Sequence, residues 1–184
     1  MRREKAGKQR SGRRLNSLYL VGMECCGKTS VGRELARMAG IPFVDVNEQA
    51  EKEAGMPIAG ILAKEGRKGL RERAKRALLE ASRGDWQVVA CSAEDPLEKD
   101  CLSLMLNTGA VVFLDVPVAL LLKRFDFVRY RGAIGDEEEL RRLYVSRHPQ
   151  YVASCGVQLK YGHAESADAA YDLLKIFYPD YFWR

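Results

Sequence analysis

One stretch of the chain combines residue types and a spacing that can bind phosphate. Residues 22–29 read Gly-Met-Glu-Cys-Cys-Gly-Lys-Thr, the G-x-x-x-x-G-K-[ST] pattern of a phosphate-binding loop. Its two glycines allow backbone conformations that turn successive amides inward, and the helix that follows adds its own N-terminal amides. Lys28 can reach the outer phosphates, and the Thr29 hydroxyl can bind magnesium. The stretch therefore predicts a phosphate site with an associated Mg²⁺.

The segments on either side of this loop have the patterns of a strand and a helix. Residues 18–21 form a short apolar run that is typical of a buried strand. After the loop, apolar residues recur at helical spacing at positions 31, 35, 36, 38 and 39. A strand, a glycine loop and a helix in this order form the context in which the phosphate-loop pattern is informative.

The rest of the chain alternates between strand and helix patterns. The apolar run at 110–115 is typical of a parallel strand covered on both faces. Asp136 and Glu139 have the spacing of a capping box, which predicts a helix beginning there. The other predicted strands are 41–46, 86–91 and 155–159; the other predicted helices are 96–107, 117–124 and 166–177, with 48–83 mostly helical. This alternation predicts an α/β fold with right-handed crossovers, in a single domain over residues 17–184.

The positive charge of the chain is concentrated in its first 16 residues. The 184-residue chain has a net charge of +5, but residues 1–16 carry seven basic residues and one acid, which leaves the remainder at −1. We predict that residues 1–16 are a disordered, solvated basic tail. The alternative is contact with nucleic acid or another polyanion, through this tail only.

The five cysteines show neither disulfide nor metal-binding spacing. Their number is odd, and Cys25 and Cys26 lie inside the phosphate loop, where only their backbone amides are expected to contribute. Reduced thiols fit a reducing cytosol. No apolar run approaches the roughly 18 residues of a membrane span, and no signal-peptide core follows the basic N-terminus. We therefore predict a cytoplasmic protein without a membrane segment, and we expect a monomer.

Residues 18 to about 170 resemble the shikimate kinase family. The motifs that carry the similarity include Gly-Lys-Thr-Ser-Val-Gly-Arg-Glu-Leu-Ala at 27–36, Ile-Pro-Phe-Val-Asp at 41–45, Val-Val-Phe-Leu-Asp-Val-Pro at 111–117 and Arg-His-Pro-Gln-Tyr at 147–151. The resemblance implies a three-layer P-loop kinase fold: a five-stranded parallel sheet in the order 2-3-1-4-5, helices on both faces, and a lid at about 125–135. It also implies a kinase of aromatic amino acid biosynthesis that uses ATP and Mg²⁺.

The family's functional residues can be carried over position by position. The resemblance implies a catalytic set of Lys28, Asp45 and Arg129, the last of these in the lid, and a metal set of Thr29 and Asp45. It implies that the acceptor is bound by Asn47, Arg71, Ser92 and Arg147. Its nucleotide set is Gly22, Cys25, Cys26, Gly27, Lys28, Thr29 and Ser30, with Arg124 and the loop 162–166 near adenine. A planar guanidinium suits the acceptor's carboxylate because it binds both oxygens at once.

Three departures from the family pattern concern the acceptor. Asn47 replaces the second Asp of the family's Asp-x-Asp, and an amide cannot act as a base. The family's Gly-Gly-Gly is replaced by Ala-Cys-Ser-Ala-Glu at 90–94, whose side chains should reshape or fill the pocket. Glu94 is either a solvated loop acid or a substitute for the missing carboxylate. The lid reads Arg-Tyr-Arg-Gly at 129–132 instead of the usual Arg-Pro-Leu.

These observations leave three functional hypotheses. The first is an ATP-dependent small-molecule kinase that phosphorylates a hydroxyl of shikimate or a related anionic alcohol. The second is a catalytically weakened or inactive ATP-binding protein of the same fold, with a regulatory or partner-binding role. The third is a kinase of a nucleotide or a sugar acid.

Overall fold

The computed structural model of the protein describes residues 17–125, 134–160 and 166–177. The strands in this part of the chain are β1 (Ser17–Val21), β2 (Phe43–Asp45), β3 (Gln87–Ala90), β4 (Gly109–Asp115) and β5 (Val157–Lys160). The helices are α1 (Lys28–Ala39), α2 (Val46–Ala54), α3 (Ile58–Ala81), α4 (Lys99–Thr108), α5 (Val118–Arg124), α6 (Glu137–Ser154) and α7 (Ser166–Phe177). A single 3₁₀ turn, Asp95–Leu97, lies between β3 and α4.

The five strands form one parallel sheet in the order β2-β3-β1-β4-β5. At the centre of the sheet, Leu18 of β1 lies opposite Val88 of β3 and Ala110 of β4. Every residue of β1 and β3 is buried, as expected for strands whose two faces are both covered by helices. The predicted three-layer α/β fold and the predicted strand order are therefore confirmed.

The helices bury apolar side chains against the sheet and against one another. α1 packs along α7, with Leu35 of α1 and Leu173 of α7 fully buried. α4 packs against β4 and α3, and Met105 of α4 is likewise buried. These contacts hold the sheet rigidly, so the loops that leave its carboxyl edge start from fixed positions.

The predicted bounds of the elements shift by a few residues. β2 ends at Asp45 because the side chain of this residue caps α2, and α4 begins after Pro96 because that proline lies in the 3₁₀ turn. Asp136 caps α6 as predicted, accepting from the Glu139 amide at 2.7 Å. The Glu139 carboxylate in turn accepts from the amide of Gly135, one residue before the cap.

A break in α3 determines which way its second half points. Gly66 has φ 69° and ψ −175°, so the segments 58–65 and 67–81 are two helices joined at this residue. Only glycine adopts such a backbone conformation readily. The second segment carries Arg71 to the edge of the cleft described below.

Several predicted features lie outside the described residues. They are the basic tail 1–16, the lid residues 126–133 including Arg129, most of the adenine loop 162–166, and the chain end 178–184. In the part of the chain that the structure describes, no helix is long and apolar enough to cross a membrane.

Candidate active site

A cleft of about 1300 Å³ opens at the carboxyl ends of the strands. The phosphate loop follows β1, Asp45 ends β2, and Ser92 lies two residues beyond β3. In parallel α/β sheets, ligands bind at this edge because the strand ends converge there. Of the predicted site residues, the described cleft lining includes Cys25, Gly27, Lys28, Thr29, Ser30, Asp45, Asn47, Arg71, Ser92, Arg124 and Arg147.

The phosphate loop has the backbone geometry that its glycines predict. Gly22 has φ 142°, and a Cβ on this residue would lie 2.9 Å from the Leu114 carbonyl oxygen, so a side chain would not fit. Gly27, with φ 100°, precedes the first turn of α1, whose amides have no partner within the helix. Cys26 is buried, and burial raises the pKa of its thiol, so the side chain stays neutral. The loop can therefore hold an anion through its backbone.

Lys28 is folded along the inside of this loop. Its ammonium donates to the carbonyl oxygens of Gly22 at 2.9 Å and Met23 at 2.8 Å, and the side chain is buried. The third donor of the ammonium faces only Cys26 Sγ, at 3.9 Å, and this weak contact can be exchanged for one to a phosphate oxygen.

Thr29 and Asp45 place two oxygens side by side. The Thr29 hydroxyl donates to Asp45 Oδ2 at 2.6 Å, while Asp45 Oδ1 accepts from the amides of Asn47 at 2.9 Å and Glu48 at 3.1 Å. These bonds fix the carboxylate at the N-terminus of α2. Hydroxyl and carboxylate oxygens suit Mg²⁺, which takes few protein ligands and completes its shell with water and phosphate.

Arg71 and Arg147 line the same cleft, and Glu94 lies between them. Arg147 donates to Glu94 Oε1 at 3.0 Å, and Arg71 donates to Glu94 Oε2 at 3.1 Å. Arg147 also donates to Glu24 of the phosphate loop, at 3.2 Å. Burial by itself would lower the pKa of Arg147, but its neighbours, chiefly Glu24, raise it, so the guanidinium stays charged.

Asp95 is a buried acid that the sequence did not single out. It lines the cleft, the residue is 4% exposed, and its Oδ2 accepts from the Ser92 amide at 2.7 Å. Burial raises its pKa to about 7, against the hydrogen bond from Ser92 and the charge of Lys28, which lower it. An Asp-Pro pair reads as a turn in sequence, so nothing there distinguished this carboxylate.

Comparison with known proteins assigns the architecture. The family model described as Shikimate kinase matches residues 24–177. The shikimate kinase of Symbiobacterium thermophilum is 34% identical over 151 residues, which cover 78% of this chain and 85% of that protein. The chain belongs to the shikimate kinase family.

Further relatives support this family assignment. The shikimate kinase of Rhodopirellula baltica is 30% identical over 165 residues, covering 86% of this chain and 88% of that protein. The solved structure of shikimate kinase from Acinetobacter baumannii in complex with shikimate superposes with a TM-score of 0.84 at 30% identity, over 90% of this chain and 94% of that one. This member of the family is accordingly a shikimate-kinase-like phosphotransferase with a P-loop kinase fold.

The replacement of the Gly-Gly-Gly segment leaves this family member with an open cleft. Cys91 is buried with its Sγ 3.5 Å from Met105 Sδ, and Ala93 is buried where its carbonyl oxygen accepts from the Tyr151 hydroxyl at 2.9 Å. The expectation that side chains here fill or reshape the pocket therefore applies mainly to Glu94, whose carboxylate lies between the two arginines.

Two other acids in the site were missed from sequence. Glu24 lies inside the phosphate-loop motif, where the pattern leaves the residue type open, and its partner Arg147 is 123 positions away. Glu98 lies 3.4 Å from Arg71. No local pattern links residues so far apart in the chain.

Proposed function

We propose that this protein transfers the γ-phosphoryl group of ATP to a hydroxyl of shikimate. The observation that carries this proposal is one cleft lined both by the phosphate loop, which we call the nucleotide end, and by Arg71 and Arg147, which we call the acceptor end. One end suits a triphosphate and the other suits a carboxylate, so a bound acceptor would lie beside the transferring group. Family membership and the shikimate complex of the Acinetobacter baumannii enzyme support this choice of acceptor.

The residues of the nucleotide end would position ATP. The loop amides and Lys28 would hold the phosphates, and Thr29 with Asp45 would hold Mg²⁺ through oxygen. Bound Mg²⁺ supplies charge neutralisation for the transferring phosphoryl group. Arg124 at the end of α5 would lie against adenine, and Arg129 would reach the phosphoryl group from the lid.

The residues of the acceptor end would orient the alcohol. Arg71 and Arg147 would hold its carboxylate, while Ser92 and Asn47 would contact its hydroxyls. In the transfer, the acceptor oxygen bonds to the γ-phosphorus as the bond to the bridging oxygen breaks, and ADP leaves. Asn47 can orient the hydroxyl but cannot take its proton, which would pass to an oxygen of the transferred phosphoryl group. The remaining catalysis would rest on positioning and charge stabilisation, which dominate phosphoryl transfer.

A second candidate is an ATP-binding protein of this fold with weak or no turnover. Two observations favour it. Asn47 stands where the family has a carboxylate, and the Glu94 carboxylate already accepts hydrogen bonds from both Arg71 and Arg147. In this case the protein would bind ATP and act through a partner.

A coupled ADP-release assay with ATP and Mg²⁺, with and without shikimate, separates the two candidates. Shikimate-dependent ADP release, with shikimate 3-phosphate identified by mass spectrometry, supports the kinase. Tight ATP binding without turnover on shikimate would contradict the kinase and favour the second candidate. Turnover on a nucleotide or sugar acid, but not on shikimate, would show that the protein is a phosphotransferase with a different acceptor.

A further inference from the structure

Four side chains at the acceptor end form an ion network, which we call the arginine clamp: Glu24, Arg71, Glu94 and Arg147. Glu94 joins its two arginines, with one carboxylate oxygen 3.0 Å from Arg147 and the other 3.1 Å from Arg71. Glu24 holds Arg147 from the phosphate loop at 3.2 Å. The clamp therefore links segments that follow four different strands of the sheet, β1 to β4.

The inner part of the clamp is largely shielded from water. The side chains of Arg147 and Glu24 are 9% and 14% exposed, and that of Glu94 is 29% exposed. Ion pairs in such a setting are less screened by solvent and salt than surface pairs. Glu94 thus makes a specific charged contact with both arginines, unlike a solvated loop acid.

The backbone around Glu94 is fixed by its neighbours. The Tyr151 hydroxyl donates to the carbonyl oxygen of Ala93, and Asp95 accepts from the amide of Ser92. Because residues on both sides of Glu94 are anchored, the backbone holds its carboxylate in a defined position beside the arginines. Release of the arginines then requires a rotation of the Glu94 side chain and no movement of the loop.

The charge of the cleft does not favour a second carboxylate beside Glu94. The described lining carries eight acidic and six basic residues. An incoming carboxylate would need the same guanidinium donors that Glu94 uses, and it would meet the negative charge of Glu94 at short range.

We infer that Glu94 is an internal competitor for the acceptor's carboxylate and thereby determines how tightly this enzyme binds a carboxylate-bearing alcohol. This inference rests on the proposed function, in which Arg71 and Arg147 hold that carboxylate. The acceptor binds by displacing the Glu94 side chain from the arginines. Glu94 is a specificity-determining residue, and its removal opens the anion site.

The direct test is calorimetric titration of the full chain with shikimate, for the wild type, Glu94→Gln and Glu94→Ala. Glu94→Gln keeps the shape of the side chain and removes its charge, and Glu94→Ala removes the competing group altogether. We expect the Kd for shikimate to fall at least about tenfold in both variants, which corresponds to about 1.4 kcal/mol of binding free energy. The affinity for ATP should stay within about twofold.

Glu98→Gln is the matched control variant. Glu98 also pairs with Arg71, but at the longer distance of 3.4 Å and with a side chain that is 45% exposed. Its neutralisation removes the same charge from the same cleft, so we expect a change in Kd of about twofold or less, as for an exposed ion pair. The matched control ligand is the carboxamide of shikimate, which should bind the wild type and Glu94→Gln equally.

Three outcomes would overturn the inference. They are an unchanged or weaker shikimate affinity in both Glu94 variants, an equal gain in Glu98→Gln, and an equal gain for the carboxamide. The inference about Glu94 and the proposed function can fail independently of each other. If the wild type turns over shikimate and the Glu94 variants gain no affinity for it, the proposed kinase activity stands and the inferred role of Glu94 is wrong. If the variants bind shikimate more tightly but no protein turns it over, the inferred role of Glu94 stands and the proposed kinase activity is wrong.

Discussion

The two ends of the cleft are built by different physical means. At the nucleotide end, backbone groups provide most of the structure: Lys28 is held by two loop carbonyls, and Asp45 accepts from two amides of the helix it caps. At the acceptor end, side chains hold one another, and Arg147 depends on the carboxylates of Glu24 and Glu94.

This difference explains why the two ends depart from the family pattern to different degrees. A site made of backbone amides needs glycines and a helix start, and few substitutions preserve it. A site made of paired side chains can be altered one residue at a time, since each charge can be compensated or replaced by another. Glu94 is a substitution of this second kind, because its carboxylate pairs with Arg71 and Arg147.

The largest expected effect comes from breaking the nucleotide end. Lys28→Met removes the ammonium that we propose contacts the phosphates, and we expect kcat to fall about 10³-fold, as when a preorganised donor to a developing charge is lost. The measurement is coupled ADP release at saturating shikimate. Because Lys28 also bonds the loop carbonyls, a melting curve must show that the variant is folded.

Lys52→Met is the control for this variant, because Lys52 is exposed on α2 and outside the cleft lining. It should leave kcat unchanged. A Lys28→Met enzyme within about tenfold of the wild-type kcat would contradict the assigned role of the loop, since the loss of one such donor costs about 10²–10³-fold.

The second effect concerns the acceptor end, where Asn47→Asp restores a carboxylate. A general base contributes about 10²–10⁴-fold, and we expect a gain in kcat on shikimate near the lower limit, about 10²-fold. The KM for ATP should not change, since the nucleotide end is unaltered. Asn107→Asp, at an exposed position of α4 outside the cleft lining, is the control and should change nothing. An unchanged kcat in Asn47→Asp would assign any catalytic weakness to residues 92–94 instead.

The third effect is a pH dependence of stability that arises from Asp95. Its pKa is about 7 in the folded protein and 3.8 in its ordinary state, so the native protein retains a proton that the unfolded chain has lost between these values. Stability therefore falls as the pH rises from about 4 to about 7 and is constant above that. At about 1.36 kcal/mol per pH unit, the loss between pH 5 and pH 7 is about 2–3 kcal/mol.

Asp95→Asn isolates this contribution, because its side-chain oxygen can accept the same Ser92 hydrogen bond and it does not titrate. Urea unfolding at pH 5 and pH 8 gives the free energy of unfolding of both proteins. We expect the stability difference, variant minus wild type, to rise between these two pH values. A difference that is independent of pH would show that Asp95 ionises normally.

The smallest expected effect is that of deleting residues 1–16. The described lining of the cleft begins at Glu24, so we expect ATP affinity to stay within about twofold, which is less than about 0.5 kcal/mol. Titration with a fluorescent ATP analogue measures it for the full and the shortened chain. A large loss of affinity for the ATP analogue in the shortened chain would show that the basic tail contributes to nucleotide binding.

Much of the fold and of the nucleotide end could be predicted from the sequence because the deciding interactions are local. The pattern Gly22 to Thr29 encodes its own backbone geometry, and the helix that begins at Lys28 ends before Gly40 as its sequence indicates. The continuous apolar run of β4 predicted a strand covered on both faces, which is what the sheet shows. The position of Asp45 at the end of β2 also followed from the sequence.

Only the tertiary structure decided how the acceptor end is arranged. Arg147 meets Glu24 across 123 positions and Glu94 across 53, and no periodicity or spacing in a single sequence records such pairs. The burial that raises the pKa of Asp95 is likewise a property of the packed loop and not of an Asp-Pro dipeptide. Local backbone chemistry thus determined the shape of the loop that we propose binds phosphate. Long-range packing determined which charges share the acceptor end, because an ion network exists only when distant segments are brought together.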